Sequence, residues 1–290
     1  MSGIRELKRR IKSISSTEQM TKAMKMVAVS KYNKALLKMQ DFKPYSSQCE
    51  RLLSQLSGDI EGTPLAADRA VSKICYVVVT GNRGLCGSYN MDLFRKLTAM
   101  LKEEQRDYTI VMCGKWGVGH YKSSKIEGVS QTFDVDDIPT YAQAVKISEY
   151  LRELFLSGEV DQVCFVYQAF KNILTQTPVT KTFLPYKREE LPGDDGSAGD
   201  DTEYLFIPDR ESILGDLVIR CLNTEVYRIL LDMAVGANGS MMMAMRNASE
   251  NSSTMIADLS LKLNRMRQNS VTTEVLEIAS GTVAKEEEEK

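Results

Sequence analysis

A glycine-rich turn is the stretch whose residue types and spacing come nearest to chemistry. It runs from Thr80 to Asn90, between a short apolar run and an amphipathic segment. Backbone amides of glycines at a helix N-terminus can bind phosphate. Gly81, Gly84 and Gly87 are three residues apart, however, so neither the dinucleotide-binding nor the P-loop spacing is present. The spacing favours a structural or docking turn, and a small nucleotide-dependent enzyme remains an alternative.

The other reactive residue types form no recognisable active site. The only histidine, His120, has no Cys or Asp at metal-ligand spacing, which favours a surface or half-buried side chain. The cysteines are scattered without a C-x-x-C pair, which favours free thiols in a reducing compartment: Cys49, Cys75, Cys86, Cys113, Cys164 and Cys221. We therefore predict no catalytic residue, no cofactor and no metal site on this chain.

Strands and helices alternate around the turn. Residues 74–79 form a fully apolar, β-branched run typical of a strand buried on both faces. An amphipathic helix is predicted to follow the turn up to about Glu104, and another over residues 138–157. Further strands are predicted at 108–113, 161–169 and 175–184. This order predicts a small α/β domain with a mostly parallel sheet.

The two ends of the chain have the pattern of long helices. No proline follows Pro208, so residues 211–279 can form one helix roughly 100 Å long. Steps of three and four, the coiled-coil period, define one seam at each end. The N-terminal seam is Ile4, Leu7, Ile11, Ile14, Glu18, Thr21, Lys25, Ala28, Tyr32, Ala35 and Met39. The C-terminal seam is Met241, Met245, Ala248, Ser252, Met255, Leu259, Lys262, Met266, Asn269, Thr273 and Leu276. We predict that the two helices pair as an antiparallel coiled coil.

Charge is distributed unevenly. Residues 1–40 hold ten Lys and Arg against two Glu, a net charge of +8, whereas residues 187–211 have a net charge of −6. A basic helix indicates an anionic partner: nucleic acid, a membrane surface or an acidic protein. A nucleic-acid-binding coiled coil is thus one alternative, although the arm offers only Tyr32 and Phe42 for stacking on bases.

These patterns divide the chain into four predicted segments. They are an N-terminal helix over 1–58, an α/β domain over 72–186, an acidic flexible loop over 187–208 and a C-terminal helix over 209–285. No apolar run approaches 18 residues and the first residues lack a signal-peptide pattern, so we expect a cytosolic chain.

Three separated stretches of the chain have distinctive motifs. The first is Met-Thr-Lys-Ala-Met-Lys-Met-Val-Ala-Val-Ser-Lys at residues 20–31, and the second is Gly-Leu-Cys-Gly at 84–87 with Asn90. The third comprises Ala-Met-Arg-Asn-Ala at 244–248, Leu-Asn-Arg-Met-Arg-Gln at 263–268, and the pairs 273–274 and 277–278. These motifs resemble, in the expected order, the N-terminal helix, the central signature and the C-terminal helix of the γ subunits of F-type ATP synthases. The resemblance covers nearly the whole chain.

The resemblance implies a fold and a function. The implied fold is a Rossmann-like α/β domain beside a coiled coil of the two terminal helices. The implied function is a non-catalytic rotor, which turns inside a ring of three α and three β subunits and couples proton or sodium flow to ATP synthesis or hydrolysis. The implied partners are those α and β subunits, the ε subunit and the membrane c-ring, on the cytoplasmic side of a bacterial plasma membrane.

The family also implies contact residues for the β subunits. By position these are Lys22, Met24 and Lys25 on the first helix, Arg83 and Cys86 in the turn, Arg267 and Gln268 near the end of the last helix, and Leu276 at its tip.

One segment departs from the family pattern. Ala237 and Met241 stand where the family often has Glu and Arg, so one i, i+4 ion pair is lost. The neighbouring Gly236 and Gly239 favour a softer helix at this point.

Overall fold

The computed structural model describes residues 2–55, 63–67, 69–124, 128–186 and 210–288. The predicted acidic loop over 187–208 lies outside them. In chain order the elements are α1 (Ser2–Gln55), β1 (Lys73–Val79), α2 (Tyr89–Glu103), β2 (Asp107–Cys113), α3 (Lys115–Ser124), β3 (Val129–Phe133), α4 (Tyr141–Leu156), β4 (Gln162–Phe170), β5 (Gln176–Leu184) and α5 (Arg210–Glu288). They form two compact units: a helical unit with residues up to Val27 and from Met242 onward, and an α/β unit over Ala28–Met241.

The α/β unit is built on a five-stranded sheet in the order β3-β2-β1-β4-β5. The first four strands are parallel, and β5 pairs with β4 in the antiparallel direction. The predicted α/β class is therefore confirmed, with a mixed sheet. β3 and α3 were not predicted, because β3 is polar and largely exposed and the short α3 contains Gly117 and Gly119.

Both faces of the sheet are covered, as the apolar first strand predicted. Cys75, Val77 and Val79 of β1 point into one cluster, which is completed by side chains of α4 and α5 such as Phe155 and Leu230. The alternate residues of β1 point into a second cluster with Leu93, Leu97 and other α2 side chains. The period of two along a strand produces this division.

Small residues let the long helices pack closely inside the α/β unit. Ala35 of α1 is fully buried against Ala234 and Val235 of α5. The helix is continuous through Gly236 and Gly239. A Cβ on Gly236 would lie 2.9 Å from the ring of Tyr89, and one on Gly239 would lie 3.4 Å from Tyr32. These glycines therefore admit neighbouring side chains and do not interrupt the helix.

The helical unit is an antiparallel pair, as predicted. The position a Cβ would take on Gly3 lies 3.0 Å from Cε of Met266, and the Ser253 hydroxyl donates to Glu18 Oε1 at 2.5 Å. Gly3 near the start of α1 therefore faces Met266, whereas Glu18, later in α1, faces Ser253, earlier in α5. The two helices run antiparallel.

The predicted seam is correct on α1 and partly wrong on α5. Every predicted seam position of α1 from Ile4 onward is buried or half-buried. On α5, the predicted seam positions Met255, Lys262, Asn269, Thr273 and Leu276 are exposed, and the last two lie where every side chain from 271 to 280 is exposed. The inner positions follow a regular alternation of four and three: Met245, Ser249, Ser252, Ile256, Leu259, Leu263, Met266 and Ser270. The seam prediction was therefore wrong by one residue at every second position: Ile256, Leu263 and Ser270 lie inside in place of Met255, Lys262 and Asn269.

Candidate partner-binding surfaces

The glycine-rich turn between β1 and α2 is held by the side chain of Asn90. Its Oδ1 accepts from the Gly81 amide at 3.0 Å, and its Nδ2 donates to the Arg83 carbonyl at 3.2 Å. Asn90 is buried, so these bonds are shielded from water. Because the Gly81 amide already has an acceptor, it is not available to a phosphate. This geometry favours the docking turn over the nucleotide site.

The thiol of Cys86 lies inside this turn. It is 3% exposed, accepts from Asn90 Nδ2 at 3.3 Å and donates to the Arg83 carbonyl at 3.6 Å. Burial raises the pKa of the thiol, so the neutral form persists. The structure therefore assigns the side chain of Cys86 to the interior of the turn, while its neighbours Arg83 and Leu85 are exposed. Leu85 adopts a left-handed backbone with φ of 62°.

An acidic side chain outside the turn lies close to Arg83. Asp137, in the loop between β3 and α4, lies 3.7 Å from Nε of Arg83 through Oδ2. The same oxygen accepts from Nζ of Lys31 on α1, and Oδ1 accepts from Asn82 Nδ2 at 3.0 Å. Burial alone would raise the pKa of Asp137, but the bonds from Lys31 and Asn82 hold it below its usual range. The sequence did not single out Asp137, because its partners lie 106 and 55 positions away along the chain.

The three predicted contact residues of α1 lie in the helical unit. Lys22 is exposed and pairs with Glu18 at 2.7 Å, whereas Met24 and Lys25 are half-buried. Their neighbours Met20 and Met26 are 63% and 67% exposed. Flexible thioether side chains adapt to changing surfaces. This part of α1 can therefore present both positive charge and apolar surface to a partner.

The predicted contact residues of α5 are all exposed. Arg267 and Gln268 lie on the outside of the helical pair, and Leu276 is 61% exposed beside Val275. A helix end with apolar side chains facing outward is typical of a surface that another protein covers.

No feature of the described ranges resembles a catalytic centre. His120 stacks on Trp116 with ring centroids 4.8 Å apart. All six cysteines are buried and none of them forms a disulfide, and burial raises the pKa of Cys75 to about 12. Within the described ranges, no group of three or more His, Cys, Asp or Glu side chains could hold a metal ion.

A buried ionic cluster in the α/β unit was also not predicted. Glu225 of α5 accepts from Lys181 of β5 and from Arg228, both at 2.8 Å. One turn further along α5, Asp232 is buried, and burial raises the pKa of its carboxyl to about 7. These residues tie α5 to the sheet.

The comparisons with known proteins give one family. The family model described as ATP synthase matches residues 3–284. The ATP synthase gamma chain of Desulfitobacterium hafniense is 36% identical over 99% of this chain and 100% of the relative. The gamma chain of Moorella thermoacetica is 36% identical over 98% and 99% of the two chains.

Solved structures share the fold. A chain of the Euglena gracilis mitochondrial ATP synthase OSCP/F1/c-ring structure matches 100% of this chain and 96% of its own length, with a TM-score of 0.69 at 18% identity. A chain of the rotor of the same enzyme matches 93% and 99%, with a TM-score of 0.64 at 17% identity. Given the full-length identity to the bacterial relatives, this chain belongs to the ATP synthase gamma chain family.

Proposed function

We propose that this gamma chain is the central rotor shaft of an F-type ATP synthase. The paired helices of the helical unit turn inside a ring of three α and three β subunits, and the α/β unit meets the ε subunit and the membrane c-ring. Rotation couples ion flow to ATP synthesis or hydrolysis. The chain supplies no catalytic residue, and it is held peripherally at the cytoplasmic side of the bacterial plasma membrane through the complex. Among the described residues, no helix has the length and apolar character needed to cross a membrane.

The observation that carries the proposal is the antiparallel helix pair in a chain with full-length identity to gamma chains. Its seam is polar at Thr21, Ser249 and Ser252. Its outer surface retains Arg267, Gln268 and Leu276 for a partner. A pair of helices with such a surface is suited to lie within a protein ring.

The proposed mechanism is a population shift. Each β subunit adopts several conformations with different nucleotide affinities, and the asymmetric shaft contacts one of them better than the others. Turning the shaft moves that preference from one β subunit to the next. The shift is limited by the difference in contact free energy between conformations. Catalysis therefore takes place on the ring, and this chain sets its order.

The positively charged side chains among the predicted contact residues are suited to bind acidic residues of the β subunits. Lys22 and Lys25 of α1 and Arg83 of the turn supply positive charge, and Met24 supplies apolar contact. Cys86 contributes through the turn it stabilises, since its thiol is buried. A nucleic-acid-binding coiled coil, the alternative left by the sequence, has no support from the family relationship.

Mg-ATP hydrolysis by purified α and β subunits tests the proposal. Matched subunits are assembled with and without this chain, and the products are separated by size. We expect one copy of the chain per three β subunits and a higher steady turnover with it. Failure of the wild-type chain to join the ring or to change turnover would refute the rotor assignment.

A variant at the end of α5 tests one contact. Arg267→Ala is expected to lower turnover of the assembled complex by about tenfold or more, because a hydrogen bond to a charged group contributes about 1.5–3 kcal/mol and about 1.4 kcal/mol corresponds to a factor of ten. Arg265→Ala is the matched control, since Arg265 is also exposed on α5. Equal turnover in the two variants would show that Arg267 does not contribute a specific contact to the ring.

A further inference from the structure

One carboxylate in the α/β unit is bound by cations from two separate segments. Asp137 receives Nζ of Lys31 from α1, while Asn82 and Arg83 approach it from the glycine-rich turn. The loop that carries Asp137 is itself fixed, because the Val135 carbonyl accepts from Asn82 Nδ2 at 2.7 Å. Asp137 thus links the first helix, the turn and the loop before α4.

The two ion pairs differ in geometry. Lys31 and Asp137 are both about one-quarter exposed, at 26% and 28%, and their pair is partly shielded from water. Arg83 is 61% exposed, and its Nε lies 3.7 Å from the carboxylate, beyond hydrogen-bond distance. The guanidinium of Arg83 is therefore held loosely, and an incoming carboxylate can form the stronger bidentate arrangement with it.

We infer that Asp137 is an internal counterion of Arg83. Between contacts with the ring Arg83 is paired with Asp137, and on contact the guanidinium exchanges Asp137 for a carboxylate of the β subunit. This inference rests on the proposed rotor function and concerns the regulation of that contact. Lys31 stays paired with Asp137 throughout and fixes the carboxylate in place.

The consequence is that the ion pair between Arg83 and a β-subunit carboxylate is weaker and dissociates more easily. A cation without a counterion would gain the full attraction of each partner carboxylate, whereas Arg83 exchanges one ion pair for another. Two opposite unit charges in contact attract each other more strongly near a protein surface than in bulk water, so an unopposed cation there would bind each partner carboxylate tightly. A rotor that meets three equivalent partners in turn needs contacts that release as readily as they form.

Salt-dependent turnover of the assembled complex tests the inference. The variants are Asp137→Asn, which keeps the shape but removes the charge, and Asp137→Glu, which keeps the charge. Asp136→Asn is the matched control, because Asp136 is exposed one residue earlier and the change in net charge is identical. ATP hydrolysis is measured from about 20 mM to about 300 mM KCl, over which the screening length falls severalfold.

We expect Asp137→Asn to slow turnover about threefold at low salt and to approach the wild-type rate at high salt, since screening weakens the excess attraction. Asp137→Glu and Asp136→Asn should follow the wild-type profile. Adding Arg83→Gln to Asp137→Asn should abolish the slowing at low salt.

Two results would overturn the inference: a salt profile of Asp137→Asn equal to that of Asp136→Asn, or slowing that persists at high salt and in the double variant. Both leave the rotor assignment intact, provided the wild-type chain stimulates the ring. If the wild-type chain does not join the ring, the inference fails together with the proposed function.

Discussion

The α/β unit and the helical unit differ in how their side chains are buried. The α/β unit has two large apolar clusters, one on each face of the sheet, with fully buried residues such as Phe155 and Leu222. In the helical unit the buried side chains of the seam are few, and three of them are Thr21, Ser249 and Ser252. Leucine, valine and isoleucine are exposed toward its end, as at Leu276. The first unit is thus stabilised internally, while the second leaves apolar side chains exposed.

The same two helices take part in both units, so the difference does not come from secondary structure. Within the α/β unit, α1 and α5 offer alanines and glycines that permit close packing, such as Ala35 and Gly236. In the helical unit they offer methionines and serines. Composition along one continuous helix therefore changes with the surface that the helix must meet.

The largest expected effect tests the stability of the α/β core. Phe155→Ala should lower the free energy of unfolding of the α/β unit by about 3–5 kcal/mol, because it leaves a cavity in a fully buried cluster. Leu7→Ala, in the seam of the helical unit, should cost about half as much or less, since a two-helix seam can close around the loss. Urea unfolding followed by site-resolved hydrogen exchange measures both. Equal costs would contradict the contrast between the units.

A pH-dependent effect of about 4 kcal/mol is expected at Asp232, because each unit of difference between the folded and unfolded pKa contributes about 1.4 kcal/mol. Burial raises the pKa of this carboxyl to about 7, against 3.8 for the free group. The folded state therefore holds a proton that the unfolded state has lost, and stability decreases as the pH rises from about 4 to about 7. Asp232→Asn should remove this dependence and be more stable than wild type at pH 8.

The control for Asp232 lies on the same helix. Asp216→Asn removes a carboxylate from an exposed position of α5 and should leave the pH dependence unchanged. Thermal unfolding between pH 4 and 8 provides the measurement. A parallel pH profile for Asp232→Asn and wild type would show that this buried acid does not link folding to protonation.

Two glycines of α5 sharpen the comparison further. Gly236→Ala should destabilise the α/β unit by about 1 kcal/mol, because the new Cβ would lie 2.9 Å from the buried ring of Tyr89. Gly215→Ala should stabilise it by about 0.5–1 kcal/mol, since no atom lies within 4 Å and alanine favours the helix. Denaturant titration compares them, and a stabilising Gly236→Ala would exclude close packing as the reason for that glycine.

The smallest effect is expected in the seam of the helical unit. Ser252 is buried, and within the part of the chain that the structure describes its hydroxyl donates to the Ala248 carbonyl of the preceding turn and to no other group. Ser252→Ala should raise local stability by about 0.5 kcal/mol, because alanine is the better helix former and no other bond is lost. Hydrogen exchange of the amides around Ser252 would detect slower opening. Faster opening would show that the hydroxyl has a second role in the seam.

The sequence by itself determined the elements whose signals are local. The apolar run of β1, the period of α1 and the long helix without proline predicted the α/β class and the helix pair. The three family stretches predicted the candidate contact residues, and their exposure at Arg83, Arg267 and Leu276 is compatible with that role. Local periodicity was sufficient because each of these signals is repeated over many residues.

Only the tertiary structure decided the choices between neighbouring residues and distant partners. Met255 and Ile256 are both apolar and adjacent, and the position of α1 determines that Ile256 lies inside while Met255 is 56% exposed. The polar edge strand β3 has no apolar pattern of its own and forms by pairing with β2. Asp137 and Lys31 are 106 residues apart, and no local rule links them. Packing between remote segments fixes such contacts, because the helical period leaves adjacent positions nearly equivalent until a partner covers one of them.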